Sequence, residues 1–330
     1  MFRKLGCSKT TLIIALSFLC QMLVSSIVSA QEDLDFEILS TRIASGGEMV
    51  NKPMMPRADG SKEQWPSWEL RKIDDNVYSF RSGLHRSMFV ITDEGVVLAD
   101  PMRSWSTEIL LEEIRKLTDV PVTHVIYTHN HLDHIRGAGP LRELKPQFIA
   151  HQIAAEAIGR FPHPEIVSPT QVWGGSKYEF TLGGERFELH YLGPNHGSGM
   201  TFVGLPDRKI MYIVDIISPG RLPPGLMPDF SPRGEEETLE VLANMDYERI
   251  VNGHEHAAAS SWGAIAYQLD FYRDVRVEVL KAMEKAGGDM APWDMIRFVE
   301  RLPKYEGLRY YEQWYHPVAG RILMEEYLAW

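Results

Sequence analysis

The sequence predicts a layered α/β domain followed by a helical C-terminal region. Between about residues 76 and 260, short apolar strands alternate with segments whose apolar residues recur at helical spacing. After about Ser260 the pattern becomes mainly helical and rich in aromatic residues. Strands and helices that alternate on this scale are typical of domains in which helices cover a sheet.

The first 30 residues predict an export signal. Their start is basic, with Arg3, Lys4 and Lys9. Thr11–Val28 is mainly apolar, and Val28-Ser29-Ala30 supplies the small residues that signal peptidase recognises. An uncleaved membrane anchor is the alternative. We expect a secreted or periplasmic protein with no stable membrane association after cleavage.

Cysteine content and charge restrict the function further. Cys7 and Cys20 both lie in the predicted signal, so the mature chain would hold no disulfide and no thiolate metal ligand. Removing the three cations of this segment takes the formal charge from −11 to −14. An acidic chain is a poor partner for nucleic acid, whose binding requires excess Lys and Arg. A small-molecule substrate and a homo-oligomer both remain compatible with the composition.

The first half of the chain gives a regular series of elements after a turn-rich segment. Residues 31–75 predict an N-terminal extension packed on the surface, and residues 76–260 the main domain. The elements predicted in the first half are the strands Val77–Arg81, Ser87–Thr92 and Gly95–Ala99, the helix Ser106–Leu117, the strand Val122–Tyr127, the helix Gly139–Leu144 and the strand Gln147–Ala150.

The second half repeats this alternation. The elements predicted there are the helix His151–Gly159, the hairpin of Lys177–Leu182 and Glu185–Leu192, the strands Thr201–Leu205 and Lys209–Val214, the helix Glu235–Met245 and the strand Ile250–Asn252.

Residues 261–330 predict three helices, Ala264–Ala286, Ala291–Leu302 and Val318–Ala329. Their aromatic residues are expected to be core and docking residues; the alternative is that some line a substrate pocket or a dimer contact.

A cluster of histidines follows the predicted strand Val122–Tyr127. Its sequence is His129-Asn130-His131-Leu132-Asp133-His134. Imidazole and carboxylate are standard ligands of zinc, whereas a solvated turn would favour Gly, Asn, Pro or Ser. Alternate residues leaving a strand point the same way, so His129 and His131 can face one metal. Asp133 and His134, around the turn, can face a second.

Further donors are predicted at the ends of neighbouring strands. His196 lies in the loop Pro194–Gly199, which contains two glycines, and His254 follows Gly253 after a short apolar strand. Asp215 closes the strand Lys209–Val214. These residues are candidates for the ligands that the histidine cluster does not supply.

Together these motifs resemble those of the metallo-β-lactamase superfamily. Thr128–His134 is similar to its His-x-His-x-Asp-His signature, and His196, Asp215 and His254 follow in that family's order. The resemblance covers about residues 76–260 and implies a four-layer αββα sandwich with metals at one edge, here followed by the C-terminal helical extension. It implies a first zinc ion held by His129, His131 and His196 and a second held by Asp133, His134 and His254. Asp215 would bridge the two ions, although in a cysteine-free subclass of this family it need not be a ligand.

The resemblance implies an exported dinuclear zinc hydrolase with two Zn²⁺ per chain. A metal-bound hydroxide, available near neutral pH, would attack the carbonyl of a lactam, lactone, ester or thioester. Asp133 would be the catalytic residue that orients this hydroxide. Two alternatives remain, a mononuclear iron enzyme similar to sulfur dioxygenases and a non-catalytic binding protein on the same scaffold.

Two further residues are predicted to contact the substrate. His85 lies in Ser82–Arg86, where this superfamily often places a flap over the site, and Asn195 precedes His196. His256, two residues after His254, is expected to lie behind the ligands or on the surface.

Overall fold

The computed structural model describes residues 38–43, 66–225, 227, 229–254, 257–287 and 290–328. The predicted signal peptide, most of residues 31–65 and His256 lie outside the described residues, and the expectations about them stay predictions. Within the described ranges, no helix combines the length and apolar character needed to cross a membrane.

The first sheet contains eight strands in chain order. They are β1 (Ile38–Ile43), β2 (Pro66–Asp74), β3 (Val77–Ser82), β4 (His85–Ile91), β5 (Val96–Ala99), β6 (Val122–Ile126), β7 (Gln147–His151) and β8 (Gln171–Trp173). Pairing is antiparallel from β1 to β5 and parallel from β5 to β8. Thus β1 and β2, from the segment predicted as an extension, belong to this sheet.

The second sheet contains six strands in the order β14-β13-β12-β11-β10-β9. They are β9 (Lys177–Leu182), β10 (Glu185–His190), β11 (Phe202–Leu205), β12 (Ile210–Ile213), β13 (Arg249–Asn252) and β14 (Ala259–Ser261). Strands β12 and β13 run parallel, with Ile213 opposite Asn252. Their carboxyl ends therefore lie side by side.

Helices cover the outer faces of both sheets. They are α1 (Ser104–Leu117), α2 (Leu132–Ile135), α3 (Gln152–Arg160), α4 (Pro232–Ala243), α5 (Ala264–Ala286), α6 (Pro292–Met295) and α7 (Tyr311–Leu328), with a 3₁₀ helix at Arg136–Leu144. One apolar layer joins α1 and α3 to the first sheet, a second lies between the sheets, and a third joins the second sheet to α4, α5 and α7. The predicted αββα sandwich with C-terminal helices is confirmed.

The C-terminal helices differ from the predicted ones. The predicted helix Ala291–Leu302 is reduced to α6 and a 3₁₀ turn at Ile296–Phe298. The extended segment that follows leads to Pro303, and a residue before proline is disfavoured in helical conformation. Helix α7 starts at Tyr311, seven residues earlier than predicted, and passes through Pro317. Tyr311 and Tyr315 are buried in the third apolar layer, and this packing outweighs the hydrogen bond lost at proline.

Five aromatic residues of the C-terminal region are part of the apolar core. Phe271, Tyr272 and Tyr305 are buried in the layer between α5, α7 and the second sheet, together with the two tyrosines of α7. The Tyr315 hydroxyl donates to the Glu300 carbonyl at 2.9 Å. The expectation of core and docking residues therefore describes these five aromatics.

Candidate metal centre

The predicted donors meet where several strands end at one edge of the two sheets. The histidine cluster lies between β6 and α2, and His196 lies in the loop between β10 and β11. Asp215 follows β12 and His254 follows β13. Because β12 and β13 are parallel and in register, they deliver this carboxylate and this imidazole to the same point.

The carboxylate of Asp215 lies at the centre of the site. Its Oδ2 is 3.3 Å from His129 Nε2, 3.2 Å from His134 Nε2 and 3.4 Å from His196 Nε2. Its Oδ1 is 2.6 Å from His254 Nε2. One carboxylate therefore contacts imidazoles that the resemblance assigns to both metals.

The donors form overlapping groups whose ligand atoms lie within 4.8 Å of one another. These groups are His129, His131, His196 and Asp215; His134, Asp215 and His254; and His85, Asp133 and His254. Asp133 Oδ2 is also 3.5 Å from His134 Nε2. All seven residues predicted as metal ligands thus lie in one cluster, and Asp215 is shared by the first two groups.

The backbone at Asp215 is strained. Its φ angle is 63°, and Asp100, which directly follows β5, has a φ of 57°. This left-handed region is uncommon for residues other than glycine, although aspartate tolerates it better than most. Strain of this kind persists where surrounding packing enforces it, and it clusters at functional sites.

The donor set fits a divalent metal. The Nε2 of His129 is buried and has no hydrogen-bond partner within the described part of the chain. A buried polar atom without a partner is costly, and a cation would satisfy it. The cluster offers only imidazole nitrogens and carboxylate oxygens, which suit zinc and similar borderline cations.

The carboxylates of the site are held in the ionised form. Burial favours the neutral acid of Asp215, but the imidazoles of His254, His196 and His134 outweigh it and hold its pKa well below the ordinary value. Burial acts in the same direction on Asp133, where His134 and the contact with His85 hold the pKa well below its usual range. Ionised carboxylates are the form that binds metal.

The pKa values of two histidines in this cluster shift in opposite directions. Burial and the neighbouring His131 and His134 hold the pKa of His129 well below its ordinary value, which keeps this imidazole neutral. Burial also lowers the pKa of His134, but the carboxylates of Asp215 and Asp133 outweigh it and raise the pKa to about 10. Metal binding at His134 would therefore release a proton.

Three carboxylates that were not predicted from the sequence lie close to the histidines. Asp100 accepts hydrogen bonds from the Thr128 backbone at 2.9 Å and hydroxyl at 2.7 Å, and that hydroxyl lies 2.9 Å from His129 Nδ1. Asp229 Oδ2 lies 2.7 Å from His131 Nε2. Such partners orient metal-binding imidazoles and raise their basicity.

The third of these carboxylates, Glu235 on α4, is buried and accepts a hydrogen bond from the Tyr272 hydroxyl. Its Oε1 is 3.9 Å from His196 Nδ1, beyond hydrogen-bond distance. Only Asp100 carried a usable signal in the sequence, because it follows a predicted strand. Asp229 and Glu235 come from distant segments that only the fold brings to the site.

The two residues predicted to contact substrate have different positions. His85 reaches the cluster, with its Nε2 3.0 Å from Asp133 Oδ2, and burial lowers its pKa to about 4. Asn195 is fully buried, and its side chain donates to Thr238 Oγ1 at 2.9 Å and accepts from the His196 backbone at 2.7 Å. The amide of Asn195 therefore shapes the loop that presents His196, and its contact with substrate stays a prediction.

A groove of about 680 Å³ opens beside His131 and Asp133. Its walls come from Asn130–Asp133, the end of α3, Phe161–Ile166 and Met227. The lining is mostly apolar, and Phe161 is 76% exposed at its rim. The C-terminal helices do not contribute to this lining within the described residues.

Comparisons with known proteins agree with this geometry. The family model of the metallo-beta-lactamase superfamily matches residues 82–254. The chain is 30% identical over 196 residues to 2,4-dinitroanisole O-demethylase subunit alpha of Nocardioides sp. strain JS1661, covering 58% of this chain and 59% of that protein. It is 28% identical over 126 residues to metallo-beta-lactamase IND-1 of Chryseobacterium indologenes, covering 38% of this chain and 51% of that one.

A solved structure supports the fold. A metallo-beta-lactamase from Pontibacter korlensis superposes with a TM-score of 0.56 at 19% identity, over 63% of this chain and 99% of that chain. At this identity the likeness concerns the fold alone. With the family model matching more than half of the sequence and the donors arranged at one edge of an αββα sandwich, the chain belongs to the metallo-beta-lactamase superfamily.

Proposed function

We propose that this protein is a dinuclear zinc hydrolase acting on a small molecule that carries a lactam, lactone, ester or thioester carbonyl. The observation that carries the proposal is the position of Asp215. Its two carboxylate oxygens contact histidines from both predicted ligand sets, at 2.6 to 3.4 Å. A carboxylate placed between two ligand sets would be able to hold two ions close together.

The proposed mechanism gives separate roles to the zinc ions and to Asp133. Zinc, when bound, would supply a hydroxide nucleophile at neutral pH and polarise a substrate oxygen. Asp133 lines the groove and has a carboxylate that stays ionised. It can accept a hydrogen bond from the attacking hydroxide and orient it toward the substrate carbonyl.

Substrate would enter by the groove beside Asp133. Ile158, Phe161 and Ile166 give this groove apolar walls, and Arg160 is a cation on its lining. Such a surface suits a substrate with an apolar or aromatic body and a reacting group directed at the metals. An anionic substituent could pair with Arg160.

One relative suggests a second candidate reaction. The protein that is 30% identical to this chain is named as an O-demethylase subunit, and its name describes removal of an O-methyl group from a nitroaromatic ether. The apolar walls of the groove would suit a planar ring. We therefore include hydrolysis of an activated aryl methyl ether, in which water attacks the ring carbon that bears the methoxy group. The bond between that carbon and the ether oxygen breaks, the oxygen of water stays in the phenol, and the methoxy group leaves as methanol.

The test combines metal analysis with a substrate panel. Purified protein is expected to bind two zinc ions, and to hydrolyse at least one member of a panel of nitrocefin, lactones, thioesters, aryl esters and nitroanisoles. His131→Ala is expected to abolish this activity, whereas His316→Gln in α7 serves as the matched control and should retain it. One bound iron with oxygen consumption, or near-normal activity of metal-loaded His131→Ala, would contradict the proposal.

We also propose that the protein acts outside the cytoplasm. The support is the basic and apolar character of residues 1–30 and the small residues before Gln31. Amino-terminal sequencing of protein recovered from the periplasm or the medium should begin at Gln31. Recovery of the intact chain in the cytoplasm, starting at Met1, would contradict export.

Assembly with a second chain is a further part of the proposal. The support is that the 30% identical relative is named as one subunit of its enzyme. Light scattering on the purified chain is expected to give a mass above 37.7 kDa, the mass of the full chain. A mass no larger than one mature chain at working concentration would count against a homo-oligomer.

A further inference from the structure

His85 is fixed beside the metal centre by the backbone. It begins β4 and forms an isolated β-bridge with His254. The next residue, Arg86, donates its backbone N–H to the carbonyl of Gly253 at 2.8 Å. The end of the β3–β4 hairpin is therefore joined to the loop that carries His254, which differs from the flap expected from the sequence.

A buried ionic cluster holds the hairpin in this position. Arg86 Nη2 lies 2.5 Å from Glu69 Oε1, and Arg81 Nε lies 3.3 Å from the same oxygen. Arg81 also donates to the carbonyl of Gly83, in the turn before His85, at 2.8 Å. These contacts tie three adjacent strands together directly behind His85, so its imidazole is presented to the site with little freedom.

The imidazole of His85 converges with the donors predicted for the second metal. Its Nε2 is 3.0 Å from Asp133 Oδ2, and its ligand atom lies within 4.8 Å of those of Asp133 and His254. Its ring centroid is 4.8 Å from that of His254 and 5.7 Å from that of His134.

These separations are those of groups around one ion. Ligands about 2.0–2.2 Å from zinc lie roughly 2.8–3.1 Å apart when they form a right angle at the ion, and roughly 3.3–3.6 Å apart at the tetrahedral angle. His134 Nε2 is 3.2 Å from His254 Nε2 and 3.5 Å from Asp133 Oδ2. The 3.0 Å from His85 Nε2 to Asp133 Oδ2 also falls within these limits.

We propose that His85 is an additional ligand of the second metal, joining Asp133, His134 and His254. The inference rests on the proposed function, because it requires the second metal site to be occupied. His131 and Asp133 line the groove, whereas His85 is not among its lining residues. The second ion would thus gain a nitrogen donor from a residue that does not line the groove.

The competing explanation is that His85 only donates a hydrogen bond to Asp133 and thereby positions it. The two roles require different tautomers. A ligating Nε2 carries no proton, so the proton of the neutral ring is on Nδ1, whereas a donor to the carboxylate carries its proton on Nε2. They also respond differently to substitution, because glutamine can donate to Asp133 but is a poor ligand for zinc or cobalt.

The experiment uses Co²⁺ titration of the full mature chain and of His85→Gln, His85→Phe and the control His316→Gln. Affinity for each equivalent is measured by chelator competition, and ligation by the visible spectrum of bound Co²⁺. Both His85 variants are expected to bind the second equivalent at least roughly tenfold more weakly, with an altered spectrum, and the first equivalent unchanged. Wild-type affinity and spectrum in His85→Gln would overturn the inference and leave His85 as a positioning residue.

A measurement on the unsubstituted protein makes the result independent of how the variants fold. In ¹⁵N-histidine-labelled protein loaded with Zn²⁺, the His85 ring is expected to be the Nδ1–H tautomer with a metal-shifted Nε2. An Nε2–H tautomer would overturn the inference. If the wild-type chain binds only one metal, the proposed function fails and the inference fails with it; two metals with an Nε2–H His85 contradict the inference alone.

Discussion

Replacing Glu69 by glutamine tests whether the buried ionic cluster supports the fold behind the metal centre. Glu69 Oε1 contacts Arg86 at 2.5 Å, Arg71 at 3.2 Å and Arg81 at 3.3 Å. Burial alone would raise the pKa of Glu69, but the three guanidinium groups outweigh it and lower the pKa from 4.5 to about 2. The substitution would leave three buried or partly buried cations without their carboxylate.

The expected loss of stability is large. A carboxyl pKa lowered from 4.5 to about 2 corresponds to about 3 kcal/mol in favour of the folded, ionised state. Removing one partner of a buried ion pair typically costs about 3–5 kcal/mol, which agrees with this figure. Glu69→Gln should therefore lower the free energy of unfolding by about 3 kcal/mol at pH 7.

The pH dependence gives a second measure of the same effect. Because the folded pKa of Glu69 is depressed, its contribution is fully present above pH 4.5 and is lost as the pH falls toward 2. Urea unfolding of the metal-free protein, followed by tryptophan fluorescence, should show this loss in the wild type and a smaller one in Glu69→Gln. The control Glu108→Gln, at an exposed position in α1, should change stability by less than about 0.5 kcal/mol. A loss below about 1 kcal/mol in Glu69→Gln at pH 7 would refute the reasoning.

Three further changes test the site. Asp229→Asn should weaken binding of the first metal by roughly 10- to 100-fold, measured by chelator competition; unchanged affinity would show that the 2.7 Å contact to His131 does not matter. Gly253→Ala would place a methyl carbon 2.7 Å from Val214 Cγ2, so it should lower both thermal stability and affinity for the second metal; a wild-type melting temperature would contradict this. Phe161→Ala should raise KM at least roughly tenfold with little change in kcat, and an unchanged KM would exclude the groove as the substrate site.

The candidate ligands could be predicted from the sequence because the patterns that indicate them are local. Residues 129–134 place four donors within six positions after an apolar strand, and imidazoles at that density have few other uses. Asp215, His196 and His254 each follow a recognisable strand. Strand ends in a layered α/β fold meet at one edge, so these separate signals could be combined before any coordinates.

The groups behind the ligands could not be predicted in this way. Asp229 and Glu235 lie in a loop and on a helix that carry no pattern specific to metal sites, and only the packing of α4 on the second sheet brings them to His131 and His196. The position of the Asn195 side chain depends on packing in the same way. Whether its amide faces substrate or Thr238 depends on the packing of its loop against α4.

By itself, the sequence predicted a layered α/β domain and, through its resemblance to a known family, the αββα sandwich, the edge expected to hold metals and seven candidate ligands. The tertiary structure decided that Asp215 contacts histidines of both ligand sets, that an apolar groove beside Asp133 is formed by α3 and Phe161–Ile166, and that His85 meets His254. Periodicity and spacing act along the chain, whereas these contacts join residues between about 20 and 170 positions apart, and side-chain packing alone brings such residues within a few ångströms.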